Sequence, residues 1–198
     1  MKPALERVIA AESDITKYDT IVGDGDCGIG LRRGAEAVLS LISSNKLDTS
    51  DAAIFMDGIV SVIETSMDGT SGAIYSIYLN ALAFGLRAQT PSSGEEEATT
   101  KVWAKAAQIA LESLGKYTPA KPGDRTLVDA LAPFVEQLEA SGDLKKAAQA
   151  AQQGSDKTKG MRASLGRTVY VGGEGWQNVP DPGAHGLAVF LNGLAESS

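Results

Sequence analysis

The sequence has little of several features that particular protein classes require. Its single cysteine rules out an internal disulfide. Its 18 basic residues against 25 acidic ones, a net charge of −7, disfavour a nucleic-acid or anionic-membrane surface, because basic residues are what neutralise phosphates. No apolar run reaches the roughly 18 residues of a membrane span, and the first residues lack the apolar stretch of a signal peptide. We therefore expect a cytoplasmic protein with no nucleic-acid or membrane partner.

What is present suits one helical domain. A chain of 198 residues, 43% of them hydrophobic, can bury a substantial core. Apolar residues recur at helical spacing, as at Leu127, Leu131, Phe134 and Val135, and sustained two-residue alternation is absent. With glycine, proline and polar breaks, this pattern predicts eight helices at roughly 3–13, 28–44, 51–66, 71–87, 95–115, 124–140, 143–161 and 182–196. We expect an all-α fold in a single domain spanning 1–198.

The segment TIVGDGDCGIGLRRG, at 20–34, has two incompatible interpretations. Its GDGDCG core matches the G-x-G-x-x-G pattern of dinucleotide-binding turns, and Asp48 follows about twenty residues later, as the ribose-binding acid would. That site needs a preceding strand and further strand–helix units, whereas only YDTIV at 18–22 resembles a short strand. A pyrophosphate beside Asp24 and Asp26 would also be repelled. An EF-hand does not fit either, because the twelfth position from Asp24 is Ala35 and not glutamate.

The interpretation that remains is a cation site. Asp19, Asp24 and Asp26 place three carboxylates within eight residues, and the neighbouring glycines allow a tight turn that brings them together. Hard oxygen ligands of this kind suit Mg²⁺. The alternative is a solvated acidic turn whose aspartates cap the helix that starts near Gly28.

Three other segments carry polar groups at predicted helix starts. Thr70 and Ser71 lie in GTSG at 69–72, where free amides and hydroxyls suit phosphate oxygens, although one of them as an ordinary helix cap is the simpler alternative. In PGDRTLVDAL, at 122–131, Asp124 or Thr126 is expected to cap a helix. Arg167 is a candidate to neutralise phosphate, and the DPG at 181–183 opens the last helix with proline in its first turn.

Taken together and in order, YDTIVGDGDCG, GTSGAIYS, KPGDRTLVDAL, GRTVYVG and DPGAHGLA resemble the nucleotide-binding domain of dihydroxyacetone kinases. In that family the domain is either a separate L subunit or the C-terminal part of a single-chain ATP-dependent enzyme. The resemblance covers essentially the whole chain, and it implies a barrel of eight antiparallel helices. It also implies that ATP or ADP is bound with two Mg²⁺ ions.

The resemblance assigns roles to individual positions. The metal ligands would be Asp19, Asp24 and Asp26. The groups that contact nucleotide would be Cys27, Gly28, Ile29, Gly30, Thr70, Ser71, Leu127, Arg167, Asp181, Pro182 and Gly183. Cys27 stands where separate L subunits carry histidine and single-chain members commonly carry cysteine, which favours the single-chain form. Asp68 and Thr118 stand where glycine is usual in the family, so Thr118 is not assigned to the site.

The activity implied by the resemblance is phosphoryl transfer from ATP to dihydroxyacetone held on a separate substrate domain, in the same chain or in another subunit. No catalytic residue is expected here, because positioning and charge stabilisation carry such reactions. The only histidine, His185, follows the DPG turn, so it is poorly placed to bind the ketone. Two alternatives remain: a cyclising FAD-AMP lyase at the same site, and a non-catalytic ADP-binding regulatory subunit. Tyr170 and Trp176 would cover the pocket or only pack against the barrel.

Overall fold

The computed structural model describes residues 1–44, 47–89, 98–171 and 175–196, and this part of the chain is helical without strands. Its α-helices are α1 Lys2–Ala10, α2 Glu12–Val22, α3 Cys27–Ser43, α4 Ala52–Ser66, α5 Gly69–Gln89, α6 Thr100–Leu114, α7 Val128–Ser141, α8 Leu144–Lys157 and α9 Pro182–Glu196. Two short 3₁₀ helices, Arg167–Val169 and Gly175–Asn178, lie in the connection between α8 and α9. The predicted all-α class is confirmed.

Eight of the helices close into a ring. Each of α3 to α9 packs against the next, and α1 packs against both α9 and α3. The predicted eight-helix barrel is therefore confirmed as the wall of the fold. Apolar side chains from all eight wall helices fill its centre, and small residues let the wall helices approach closely. Gly85 of α5, for example, lies directly against the backbone of Ala106 in α6.

The ninth helix, α2, departs from the sequence-based expectation. The predicted helix 3–13 covers α1 and only the first residues of α2, and 18–22 is helical instead of a short strand. Ala11 keeps helical dihedral angles, and its carbonyl accepts from the amides of Asp14 and Ile15, so the chain turns directly from one helix into the next. Buried Ile15, Asp19 and Val22 recur at helical spacing along α2, which packs on α3 and α9 outside the ring.

The ring explains why distant segments meet. Neighbouring helices joined by short connections run antiparallel, and the contact between Thr158, after α8, and Asp181, before α9, shows the same arrangement there. The starts of α3, α5, α7 and α9 therefore lie at one end of the barrel, where α2 also ends. The predicted loop at 90–97, together with residues 95–97 of the predicted helix 95–115, falls outside the described residues. No helix in the described ranges is long and apolar enough to cross a bilayer.

Candidate functional site

Three carboxylates converge where α2 ends and α3 begins. Asp19 is buried in the last turn of α2, and Asp24 and Asp26 are exposed on the turn that follows. One oxygen from each lies within 4.8 Å of the others. The Asp19 carboxylate also accepts the amide of Cys27 at 2.9 Å, whereas Asp26, directly before α3, makes no side-chain cap bond. Asp19 therefore caps α3 from the preceding helix, and Asp26 keeps its carboxylate available for another ligand.

Two glycines make this convergence possible. A side chain on Gly23 would collide with the Asp19 carboxylate, so only glycine leaves that metal-ligand candidate in place. Gly25 has a φ of 81°, a left-handed conformation that side-chain-bearing residues rarely adopt. The turn can therefore reverse tightly enough to point Asp24 and Asp26 back toward Asp19.

The cluster is short of positive charge. Burial raises the pKa of Asp19, the negative charges of Asp24 and Asp26 raise it further, and the hydrogen bond from Cys27 opposes both effects. Burial raises the pKa of the Cys27 thiol, and the negative charges of the nearby aspartates raise it further, so the thiol is protonated at neutral pH. A divalent cation bound among the three carboxylates would offset their mutual repulsion. Carboxylate oxygens are also the hard ligands that Mg²⁺ prefers, so the cluster fits Mg²⁺ chemically.

One cation does reach the cluster. The Nη1 of Arg167 lies 2.8 Å from the Asp24 carboxylate, and the Arg167 side chain is 73% exposed. Arg167 begins the first 3₁₀ helix of the α8–α9 connection, 143 positions along the chain from Asp24. The structure thus brings the predicted phosphate-binding arginine to the predicted metal ligands.

The starts of α3 and α5 supply amides and hydroxyls. Gly28 and Ile29 lie in the first turn of α3, where amides generally lack acceptors within the helix. The amide of Gly30, predicted to contact phosphate, instead donates to the Asp26 carbonyl at 2.9 Å. Thr70 and Ser71 lie in the first turn of α5 and are exposed and half-buried, respectively.

The two helix starts are tied together. The Arg33 guanidinium of α3 donates to Asp68 at 2.7 Å, directly before α5. Buried Met67 also packs against Gly34 of α3. Asp68, the departure from the family pattern, therefore anchors the turn at 69–72 to α3.

The starts of α7 and α9 form the other side of the site. Leu127 immediately precedes α7, and its Cβ lies 3.5 Å from where a Cβ on Gly183 would stand. Asp181 accepts the amide of Ala184 at 2.8 Å and so caps α9, and its own amide donates to Thr158 at 2.7 Å. Pro182 is buried in the first turn of α9. These contacts bring Leu127 together with the segment 181–183.

Asp181 is an unusual cap because it is almost completely buried. Burial raises its pKa to about 7, while the Ala184 bond and the charge of Arg125 work in the opposite direction. The charges of Asp129 and Asp19 add to the increase. Asp181 is also one of the charges that raise the pKa of Cys27, so the two sides of the site are coupled electrostatically.

Sequence reasoning missed three residues that build the site. Arg125 and Thr158 are buried and hold the α8–α9 connection, and Asp129 organises the turn before α7. Of the two expected caps, Thr126 contacts the start of α7 as predicted and Asp124 does not. The Thr126 hydroxyl accepts the amide of Val128 at 3.2 Å, whereas Asp124 accepts from the Lys121 amide and the Ser164 hydroxyl.

Such a site belongs to a class of helical domains that present a carboxylate cluster among several helix N-termini, an arrangement suited to metal-bound anions. Comparison with known proteins identifies the family. The family model described as "DAK2 domain" matches residues 21–196. The chain belongs to this DAK2 family, and the resemblance to dihydroxyacetone kinases is confirmed.

Several relatives place the chain within this family. It is 46% identical to dihydroxyacetone kinase 2 of Saccharomyces cerevisiae, over 98% of this chain and 33% of the relative. It is 33% identical to human triokinase/FMN cyclase, over 99% of this chain and 34% of the relative. The crystal structure of the C. freundii dihydroxyacetone kinase in complex with AMP-PNP and Mg²⁺ matches with a TM-score of 0.80 and 28% identity, over all of this chain and 33% of that one. The chain spans about a third of the length of these proteins.

Proposed function

We propose that this chain is the nucleotide-binding domain of a dihydroxyacetone kinase, and that it binds ATP or ADP with two Mg²⁺ ions. The observation that carries the proposal is the cluster of Asp19, Asp24 and Asp26 at the barrel end where four helices begin. The matched C. freundii kinase structure is a complex with AMP-PNP and Mg²⁺, which supports the same kinds of ligand for this chain.

Each group of residues has a physical task in this proposal. The three aspartates would hold the metal, which when bound supplies positive charge to the phosphates. The amides of Gly28 and Ile29 in the first turn of α3 and the hydroxyls of Thr70 and Ser71 would donate to phosphate oxygens, and Arg167 would add an exposed positive charge. Leu127 and the segment 181–183 would line the nucleotide pocket.

The proposal gives this domain no general base and no covalent nucleophile. Cys27 is the only thiol in the sequence, and burial among carboxylates raises its pKa, which makes it a poor nucleophile. His185 is half-buried at the start of α9, where it forms an edge-to-face contact with Tyr18, and burial lowers its pKa. Catalysis would therefore rest on positioning the triphosphate and stabilising its charge.

A substrate domain is the partner that the proposal requires. The relatives are about three times as long as this chain, which leaves room for a dihydroxyacetone-binding domain in the same polypeptide or in a separate subunit. The exposed apolar side chains of Val169 and Tyr170 lie within three positions of Arg167 and are suited to contact with that domain. A kinase that consumes ATP with this partner is proposed to be cytoplasmic.

The experiment that tests this function adds ATP, Mg²⁺ and dihydroxyacetone to the chain, with and without a dihydroxyacetone kinase substrate domain. We expect phosphorylated ketone only when both domains are present. Turnover would support the kinase function. If the complete mixture is inactive although the chain binds Mg–ADP, the non-catalytic ADP-binding role is favoured.

The second candidate is FAD-AMP lyase activity at the same site. The observation that favours it is the relative named triokinase/FMN cyclase, which is 33% identical over nearly the whole chain. Incubating the two-domain protein with FAD and Mn²⁺ distinguishes the two reactions. Cyclic FMN without phosphorylation of dihydroxyacetone would replace the kinase proposal.

A further inference from the structure

Arg125 has an unusual position in the connection between α6 and α7. It is 1% exposed, and its φ of 61° makes it the one non-glycine residue with positive φ in the described part of the chain. The Asp129 carboxylate holds this conformation by accepting the amides of Gly123 at 2.6 Å and Thr126 at 2.8 Å. Because a buried carboxylate fixes this strained backbone, we infer that the loop is built to hold the Arg125 side chain in one direction.

The Arg125 guanidinium binds backbone carbonyls from both described parts of the α8–α9 connection. Nη1 donates to Met161 at 2.8 Å and to Trp176 at 2.9 Å, and Nη2 donates to Val179 at 2.9 Å. The guanidinium carbon also lies 6.0 Å from the centre of the Trp176 ring. Among the described residues no carboxylate lies within 4.0 Å of Arg125 to form an ion pair. Its two Nη atoms therefore join 161 to 176 and 179, whereas its buried Nε has no hydrogen-bond partner among the described residues.

This connection carries two of the candidate site residues. Arg167 lies between Met161 and Trp176, is mostly exposed, and contacts the Asp24 carboxylate. Asp181 follows Val179 by two positions and caps α9. Gly175, next to Trp176, packs on Ile21 of α2, so the connection contacts the end of α2 that leads into the carboxylate turn.

We propose that Arg125 is a positioning residue of the nucleotide site. It fastens the α8–α9 connection so that Arg167 faces the phosphate-binding end of the carboxylate cluster. Arg125 itself touches neither metal nor nucleotide. This assignment rests on the proposed function, because it requires a nucleotide site that Arg167 serves.

A double-mutant cycle for Mg–ADP affinity, measured by calorimetry on the full chain, tests the assignment. Losing hydrogen bonds from a charged donor is expected to make Arg125→Met bind Mg–ADP roughly tenfold or more weakly. If Arg125 acts through Arg167, the two losses overlap. Arg125→Met should then cost much less in an Arg167→Ala background than in the wild type. Trp176 fluorescence, measured in a Trp103→Phe background, should change in Arg125→Met and report the released connection.

Control variants separate positioning from general destabilisation. Arg7→Met removes an exposed arginine that pairs with Glu196 on the helices α1 and α9, and it should leave Mg–ADP affinity unchanged. Arg125→Lys keeps the charge without the planar fork of donors, so it should bind Mg–ADP more weakly than wild type and more tightly than Arg125→Met. If Arg125→Met does not fold, Arg125→Lys replaces it in the same cycle.

The outcomes are distinct. Overlapping losses with a changed Trp176 signal support the assignment. Wild-type affinity in folded Arg125→Met, or losses that multiply fully with Arg167→Ala, overturn it while leaving the proposed function standing. If the wild-type chain itself binds no Mg–ADP, the proposed function fails, and the assignment falls with it.

Discussion

Replacing Asp26 by asparagine should have opposite effects on the metal-free and the ligand-bound protein. Asp26 is the best member of the cluster for this test, because it is exposed and makes no side-chain cap bond. Asp24, by comparison, pairs with Arg167, and Asp19 receives the Cys27 amide. Asp26→Asn thus removes a charge with little other structural consequence.

The magnitudes follow from the separation of the carboxylates. Oxygens within 4.8 Å of one another repel by about 1 kcal/mol in a water-like dielectric and about 3 kcal/mol at an effective dielectric constant of 20. Because Asp26 is exposed, the smaller figure applies to its repulsion with each of the other two carboxylates, and Asp26→Asn should be as stable as wild type in EDTA or more stable by up to about 2 kcal/mol. Losing a charged metal ligand should weaken Mg–ADP binding by about 3 kcal/mol, or roughly 100-fold.

Urea unfolding in EDTA and calorimetry with Mg–ADP measure the two effects. Glu139→Gln is the matched control, since it removes one exposed negative charge near the far end of α7 and should change neither quantity appreciably. The reasoning is refuted if Asp26→Asn binds Mg–ADP as tightly as wild type. It is equally refuted if the variant is clearly less stable than wild type in EDTA, because the cluster would then be a structural network and not a cation site.

Three further outcomes are expected. Burial raises the pKa of Asp181 to about 7, so its contribution to stability is full at low pH and is lost as pH rises from about 4 through 7. Urea unfolding should therefore show Asp181→Asn gaining stability relative to wild type between pH 4 and 7, by at most about 4 kcal/mol. A constant difference would contradict that pKa. Gly25→Ala should lower the free energy of unfolding by about 1 kcal/mol and also weaken Mg–ADP binding. Gly142→Ala, with a φ of 63° at the end of α7 far from the site, should show the stability cost alone. Equal calorimetric affinities of Gly25→Ala and wild type for Mg–ADP would refute a role for the turn. The chain alone should phosphorylate no dihydroxyacetone above background in a coupled assay, and robust turnover abolished by His185→Ala would contradict the division of labour between domains.

The amphipathic pattern and its polar breaks were sufficient to predict an all-α fold with eight helices, whereas the barrel was implied by the family resemblance. Helix α2 was missed for a local reason. The chain passes from α1 into α2 at Ala11 without glycine, proline or a change of dihedral region, so no break marks two helices. The spacing of Ile15, Asp19 and Val22 was an available signal, but an aspartate at a buried position hides the apolar face.

The candidate site was predictable where it follows from local chemistry, as in the carboxylate turn and the helix starts. Arg125 and Thr158 could not be found in this way. The carbonyl partners of Arg125 lie 36, 51 and 54 positions away, and Thr158 meets Asp181 across 23 positions, so only the closed ring brings them together. Asp129 was detectable in principle, because an aspartate in the first turn after a glycine-containing loop can accept the loop amides.

Crystals of the chain grown with ADP and Mn²⁺ would test the central claim most directly, because anomalous scattering locates the metal without assumptions about the nucleotide. The account predicts two manganese peaks coordinated by oxygens of Asp19, Asp24 and Asp26, with the phosphates against the starts of α3 and α5. Nucleotide bound elsewhere, for example in the groove lined by Asn80, Phe84 and Tyr117, with no metal at the three aspartates, would contradict it.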